Sequence, residues 1–401
     1  MSDSNNFQRW LKEVMSKIIE SFGSNVDEFQ YEITNNRDIL MSTLQNISVK
    51  YKNKTTGQSE EHSIILKRPV QTEIVGQIVD CDSQFHNEIL FYRTYSQPGE
   101  NFARCFYVDE RPPLDSVIAL ENVNERGYHH SPYQWDAPLE YTLAAMREIG
   151  RFHGKGYVMK ERQREKFFDM VQQLQDFRAT ETYKHLVNVN ATRGVEYLRR
   201  QDHDVAFCDK MDALLANAFE GVLKKLMKPL EPLSTLCHGD FTLNNVLFKT
   251  KGDGQYRAML IDFAILRYAT PAIDLTTYLY LNCSREIRES EICFSKIMRS
   301  YHDALKEYLL EAGISNIERY SYDAFLDNYK RNSLHGFLIA SYFLPFLIGP
   351  RPVSLNGSQI ASMGNLEFVR MIKRTGGDEI SKILADMLLQ LKDSGCLKDF
   401  L

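Results

Sequence analysis

The chain has 401 residues, 43% of them hydrophobic and 25% charged, with a formal net charge of -5. That composition and length fit one large globular domain or two fused lobes with a sizeable core. The 48 lysines and arginines are scattered rather than gathered into a stripe, which argues against a nucleic-acid or membrane-surface partner and for a small ligand.

The opening run Met-Ser-Asp-Ser-Asn-Asn has neither the basic nor the apolar region of a signal peptide, so a cytoplasmic protein is expected. Residues 7–22 then place Trp10, Leu11, Val14, Met15, Ile18 and Ile19 at the spacing of an amphipathic helix. Stretches 29–33, 44–51 and 62–67 cluster or alternate β-branched and aromatic residues, and the run from Asn53 to Gly57 marks a hairpin turn between the last two. An antiparallel sheet is expected there. Helical spacing returns at 83–95 with Phe85, Ile89, Leu90 and Tyr92, ahead of further strands at 104–108 and 116–120.

From Pro138 onward helices dominate, at 139–152, 163–177, 205–226, 286–311, 322–343 and 378–391. Short apolar strands at 246–248 and 258–261 interrupt them around a polar loop. The apolar stretch 334–348 is short for a membrane span and contains His335, Gly336 and Pro345, so it reads as a buried core helix. Seven cysteines, an odd number without a C-x-x-C pair, indicate neither a zinc site nor a disulfide framework. The expected architecture is α+β and two-lobed: a leading helix and antiparallel β-rich N-lobe over 1–121, and a connector with a mainly helical C-lobe over 122–401.

The most informative segment runs Cys237-His238-Gly239-Asp240-Phe241-Thr242-Leu243-Asn244-Asn245, followed by Leu260-Ile261-Asp262-Phe263. It fits H-x-D-x-x-x-x-N with a later hydrophobic-Asp-Phe. Phosphoryl transfer needs a carboxylate near the nucleophilic hydroxyl, plus a neutral oxygen ligand and a second carboxylate for Mg²⁺. Asp240 is the candidate catalytic base, and Asn245 and Asp262 are the candidate metal ligands. His238 is expected to be structural, bonding the loop backbone, because Asp240 already supplies the base. Earlier in the chain, Lys67 ends an apolar strand where its ammonium would meet the α- and β-phosphates of ATP, and Glu88 lies on the next helix where it would pair with that lysine.

These strings, together with Phe85-His86-Asn87-Glu88-Ile89-Leu90-Phe91-Tyr92, Ala119-Leu120-Glu121-Asn122-Val123, Gly150-Arg151-Phe152-His153-Gly154 and Thr270-Pro271-Ala272-Ile273-Asp274, resemble the ecdysteroid-kinase-like (CHK kinase-like) family. That family belongs to the protein-kinase-like superfamily and is related to choline kinases and aminoglycoside phosphotransferases. The resemblance implies a protein-kinase-like fold and the cofactors ATP and Mg²⁺. It implies a small-molecule alcohol as acceptor, ecdysteroids being the named case. It also implies that Glu121, Asn122 and Val123 form the hinge pairing with adenine, and that Asp274 braces the catalytic loop. Asp274 reads equally as a first-turn residue of its helix.

The hairpin that should cover the phosphates, residues 34–43, contains no glycine; Arg37 there would meet phosphate and Asp38 would repel it. That departure keeps a nucleotide-binding pseudokinase in view beside the enzyme; among enzymes, a choline- or aminoglycoside-type kinase is the alternative. A protein kinase is disfavoured because Thr270-Pro271 enters a helix almost at once after Asp262. Tyr278, Tyr280, Phe337, Tyr342, Phe343 and Phe346 read as core aromatics first and as an apolar pocket lining second.

Overall fold

Two compact units, Met1–Gly127 and Tyr128–Leu401, make up the chain. The computed structural model describes residues 2–23, 26–38, 42–72, 76, 80–176, 180–348 and 365–401.

The first unit opens with helix α1 (Ser2–Glu20) and continues into strands β1 (Val26–Asp38), β2 (Ser42–Asn53) and β3 (Ser59–Pro69). Helix α2 (Cys81–Leu90) follows and widens into a π-turn over Phe91–Tyr95, before β4 (Cys105–Asp109) and β5 (Val117–Glu121). The five strands form one sheet in the order β1-β2-β3-β5-β4, every neighbouring pair antiparallel. The turn between β2 and β3 is closed by Asn53, whose Oδ1 accepts from the N–H of Thr55 at 2.9 Å, and by Gly57 at φ +69°.

Alternation along the strands decides what each sheet face carries. Ile47, Val49, Tyr51, Ile64 and Leu66 point to one face and pack against Trp10, Leu11, Val14, Met15 and Ile18 of α1. Arg68 shares that face, its guanidinium carbon 3.7 Å from the centroid of the Trp10 ring and 5.2 Å from that of Phe7. Stacking on aromatic faces offsets the cost of burying an arginine. Lys67, between Leu66 and Arg68, therefore projects to the opposite face.

The second unit begins with β6 (His129–His130) and α3 (Leu139–Arg162). Helices α4 (Arg164–Gln173), α5 (Glu181–Ala191), α6 (Arg193–Arg200) and α7 (Val205–Leu215) come next. Strand β7 (Thr235–Cys237) leads into the polar loop, followed by β8 (Val246–Thr250), β9 (Tyr256–Leu260) and β10 (Arg267–Ala269). The rest is α8 (Ala272–Asn282), α9 (Arg285–Glu289), α10 (Glu291–Glu311), α11 (Tyr322–Leu347), α12 (Asn365–Arg374) and α13 (Gly377–Asp393). The strands form two small antiparallel sheets, β6-β8-β9 and β10-β7.

Several bounds differ from the sequence reading. Helix α3 runs ten residues past position 152, because Tyr157, Met159 and Lys160 continue its buried face. The stretch 205–226 is not one helix: α7 ends at Leu215, and a π-turn over Phe219–Leu223 carries the chain on to Leu226. Residue 177, the expected end of another helix, lies outside the described residues. Helix α11 buries Leu334, Phe337 and Leu338 completely, and no described helix is long and apolar enough to cross a membrane. Tyr278, Tyr280, Phe337 and Tyr342 are buried core, with Phe343 and Phe346 partly buried against it.

Helices α3 and α10 meet at Gly150. A Cβ there would collide with the carbonyl oxygen of Tyr301, so only glycine lets the two backbones close. Because Arg68 loses both its stacking platform and a large apolar neighbour, Trp10→Ala is expected to destabilise the first unit by about 3 kcal/mol, read as a lowered urea midpoint.

Candidate active site

The loop between β7 and β8 is built from both sides. Strand β7 pairs with β10, Cys237 opposite Arg267, and the Sγ of Cys237 donates to the carbonyl oxygens of Ala269 and Thr270 at 3.3 and 3.4 Å. Upstream, Tyr157 and Lys160 of α3 donate to the backbone carbonyls of Leu233 and Ser234, and the hydroxyl of Thr235 donates to His153 O at 3.2 Å. The loop thus leaves a strand already fixed to α3.

Asp274, in the first turn of α8 and fully buried, takes hold of the loop itself. Its carboxylate accepts the N–H of His238 at 2.7 Å and that of Gly239 at 2.8 Å. Two consecutive N–H groups can converge on one acceptor only where the backbone turns sharply. Gly239 supplies that turn at φ +82°, and any Cβ there would strike Ile265 O. The Nε2 of His153 donates to Asp274 at 3.0 Å, and His153 Nδ1 lies 3.1 Å from the hydroxyl of Tyr301. Burial raises the carboxyl pKa of Asp274. The hydrogen bond from His153, the electrostatic influence of the His153 and His238 rings and the Gly239 N–H together outweigh it and hold the pKa below its ordinary value.

Past the turn, Asp240 is half-buried and its N–H donates to His238 Nδ1 at 3.3 Å. His238 Nε2 in turn donates to Ile261 O at 3.0 Å, so both ring nitrogens are engaged with backbone and the tautomer is set by those partners. The side-chain NH₂ of Asn245 donates to Asp240 Oδ2 at 2.7 Å and to Asp240 O at 3.0 Å. That orientation turns the amide oxygen of Asn245 away from Asp240. Backbone N–H of Ile261 donates to Asn245 O at 3.1 Å, which sets Asp262, the next residue, beside the loop. Asp262 is half-buried and left-handed at φ +65°, a conformation aspartate adopts more readily than most residues. Phe263 is buried with its ring centroid 5.2 Å from that of His238.

The structure therefore brings His238, Asp240, Asn245, the Asp262 segment and Asp274 together within the second unit. An amide oxygen and a carboxylate are the hard oxygen donors that Mg²⁺ takes. A second group, His153, Cys237 and Asp274, has ligand-type atoms within 4.8 Å of one another. These atoms are already engaged with one another and with the loop: Cys237 Sγ donates to backbone carbonyls, and Asp274 accepts from His153, His238 and Gly239.

In the first unit, Lys67 Nζ lies 2.6 Å from Glu88 Oε2, the lysine side chain 11% and the glutamate 2% exposed. At Glu121–Val123 the N–H of Glu121 donates to Arg104 O and that of Asn122 to Ser63 O, so neither is open to a ligand. Asn122 caps the 3₁₀ turn Val123–Arg126, which leaves the N–H of Val123 at the first position of that turn. The hairpin over 34–43 is strand up to Asp38 and again from Ser42, with Arg37 opposite Leu44 and Asp38 opposite Thr43. Its tip at 39–41 lies outside the described residues.

The sequence reads Tyr278 as a core or pocket aromatic and gives His153 and Asn282 no role at the loop. His153 sits in the Gly150–Gly154 run without a visible partner, since Asp274 is 121 residues away. The signal available for the other two was the spacing 274, 278, 282, one face of a helix.

An antiparallel sheet followed by a helical unit carrying this loop is an α+β architecture. The ecdysteroid kinase-like family model matches residues 36–314, and the chain belongs to that family. No curated protein matches it by sequence. Among solved structures it is similar to a Plasmodium vivax ethanolamine kinase, at 13% identity and a TM-score of 0.44, covering 91% of this chain and 83% of that one. It is also similar to wild-type aminoglycoside 2'-phosphotransferase-IIIa in complex with GDP, at 11% identity and a TM-score of 0.41, covering 90% and 97%.

Removing the Asp274 carboxylate strands two buried N–H groups and His153. Asp274→Ala is expected to cost about 3–5 kcal/mol, measured by urea unfolding. Because the folded pKa is depressed, this stabilisation is complete above the ordinary carboxyl range, near pH 4, and is lost as pH falls through the folded value. The gap in urea midpoint between wild type and Asp274→Asn should therefore narrow on acidification.

Proposed function

We propose that this protein is an ATP- and Mg²⁺-dependent phosphotransferase that phosphorylates a hydroxyl of a small molecule, preferably an apolar, ecdysteroid-like alcohol. The observation that carries it is the contact of Asn245 with Asp240: one side chain fixes the carboxylate through its NH₂ and keeps its oxygen for a cation.

Asp240 orients the acceptor hydroxyl and takes its proton as the oxygen attacks the γ-phosphorus. The new O–P bond forms as the bond from the γ-phosphorus to the bridging oxygen breaks, and ADP leaves with that oxygen. Asn245 and Asp262 are the residues that would hold the metal. Mg²⁺ there would neutralise charge on the phosphates during transfer. Lys67, kept extended by Glu88, meets the α- and β-phosphates, and the backbone of Val123 is what the hinge stretch offers to adenine. His238 and Asp274 act on the loop rather than on substrate. The family name is what favours an ecdysteroid-like acceptor over choline or an aminoglycoside.

A pseudokinase is the second reading, favoured by the glycine-free hairpin at 34–43. Transfer from γ-labelled ATP to a panel of steroid alcohols, choline, ethanolamine and aminoglycosides separates the two. The expected result is a labelled steroid alcohol that falls by about 10²-fold or more in Asp240→Asn. ATP binding with no Mg²⁺-dependent turnover above that variant would leave the pseudokinase.

Asp262→Ala is expected to abolish transfer while stability falls by only about 1 kcal/mol, the cost of alanine in the left-handed conformation of that position. Lys67→Ala should raise the KM for ATP and leave residual turnover. Wild-type kinetics in either variant would contradict its assignment.

A further inference from the structure

Helix α8 grips the loop at three points with one face. Asp274 accepts from His238 and Gly239, Tyr278 stacks on Phe241 with ring centroids 4.7 Å apart, and Asn282 Oδ1 accepts the N–H of Leu243 at 3.0 Å. The spacing of four residues repeats along the helix as the loop advances beneath it. Asp240 lies between the first two holds, and Asn245 two residues after the third.

That third hold has a specific consequence. Leu243–Asn245 is a single 3₁₀ turn, and Thr242 at its start gives no side-chain cap. Asn282, from 39 residues further on, accepts the N–H of the turn's first residue, one of the leading N–H groups that have no acceptor within the turn. The turn then ends at Asn245, whose N–H closes on Thr242 O at 3.0 Å and whose side chain reaches Asp240. Asn282 is 1% exposed, and its Nδ2 has no hydrogen-bond partner among the described residues. Leucine, of similar size, would avoid burying that unpaired NH₂. Only the oxygen accounts for a polar residue here.

We propose that Asn282 is a positioning residue that sets the metal-binding orientation of Asn245 by capping the Leu243–Asn245 turn. The proposal rests on the phosphotransferase reading for the role of Asn245, and on the geometry alone for the cap. The test compares Asn282→Leu, which removes the acceptor, with Asn282→Asp, which keeps one, in the full chain. In Asn282→Leu, amide hydrogen exchange over 241–246 should quicken about ten-fold, with α3 unchanged, while Asn282→Asp stays near wild type. The Mn²⁺ concentration that half-saturates the ADP-bound protein, followed by electron paramagnetic resonance, should rise about ten-fold in the leucine variant alone. In transfer assays the Mg²⁺ requirement should rise likewise with little change in the KM for ATP, a split that loss of fold would not produce.

Should Asn282→Leu fail to fold, Asn282→Ser, too short to reach Leu243, carries the same comparison. Wild-type exchange and wild-type Mn²⁺ binding in the variant without the acceptor would overturn the proposal. A wild-type protein that transfers no phosphate, yet binds Mn²⁺ in a way that depends on residue 282, would overturn the transfer reading and leave this one standing.

Discussion

One buried carboxylate organises the second unit. Asp274 receives two successive backbone N–H groups and a histidine, and each partner reaches it through a separate constraint. The N–H pair converges because Gly239 turns left-handed, and His153 arrives because Gly150 allows α3 to lie against α10. Cys237 and Thr235 fasten the strand that delivers the loop. The helical core and the loop chemistry are in this sense one structure, since loosening α3 from α10 would move the histidine that keeps Asp274 charged.

The first unit shows a similar economy on a single strand. Lys67 and Arg68 are adjacent cations on β3, and the strand's two-residue period sends them to opposite faces. Arg68 is absorbed into packing by Trp10 and Phe7, while Lys67 meets a nearly buried glutamate. A slip of one residue in the pairing of β2 with β3 would exchange their environments, turning Lys67 toward the aromatic face and Arg68 toward the other.

Much of this could be read from the chain. The alternation over 44–51 and 62–67, punctuated by Asn53 and Gly57, is the period of a sheet buried on one face, and β2 and β3 lie there. The spacing of Asp240 to Asn245 on one loop put two residues close in sequence, and the structure joins their side chains. The polar end of β1 was not legible, because residues 34–38 are held by cross-strand pairing to β2 rather than by apolar alternation. Helix α6 was hidden for a related reason, since charge dominates it and its apolar anchors are reduced to Val195 and Leu198. Asn282 and His153 act on partners 39 and 121 residues away, distances over which no local pattern operates.

The three holds of α8 depend on helical phase as well as on side-chain chemistry. Each residue advances the helix by about 100°, so one residue inserted or deleted between 274 and 282 would carry Asn282 a quarter-turn or more away from Leu243 while leaving Asp274 in place. A substitution inside the stretch disturbs packing at one point, whereas a change in its length displaces every hold beyond it. Among members of the family, the interval from the Asp274 position to the Asn282 position should therefore be fixed in length.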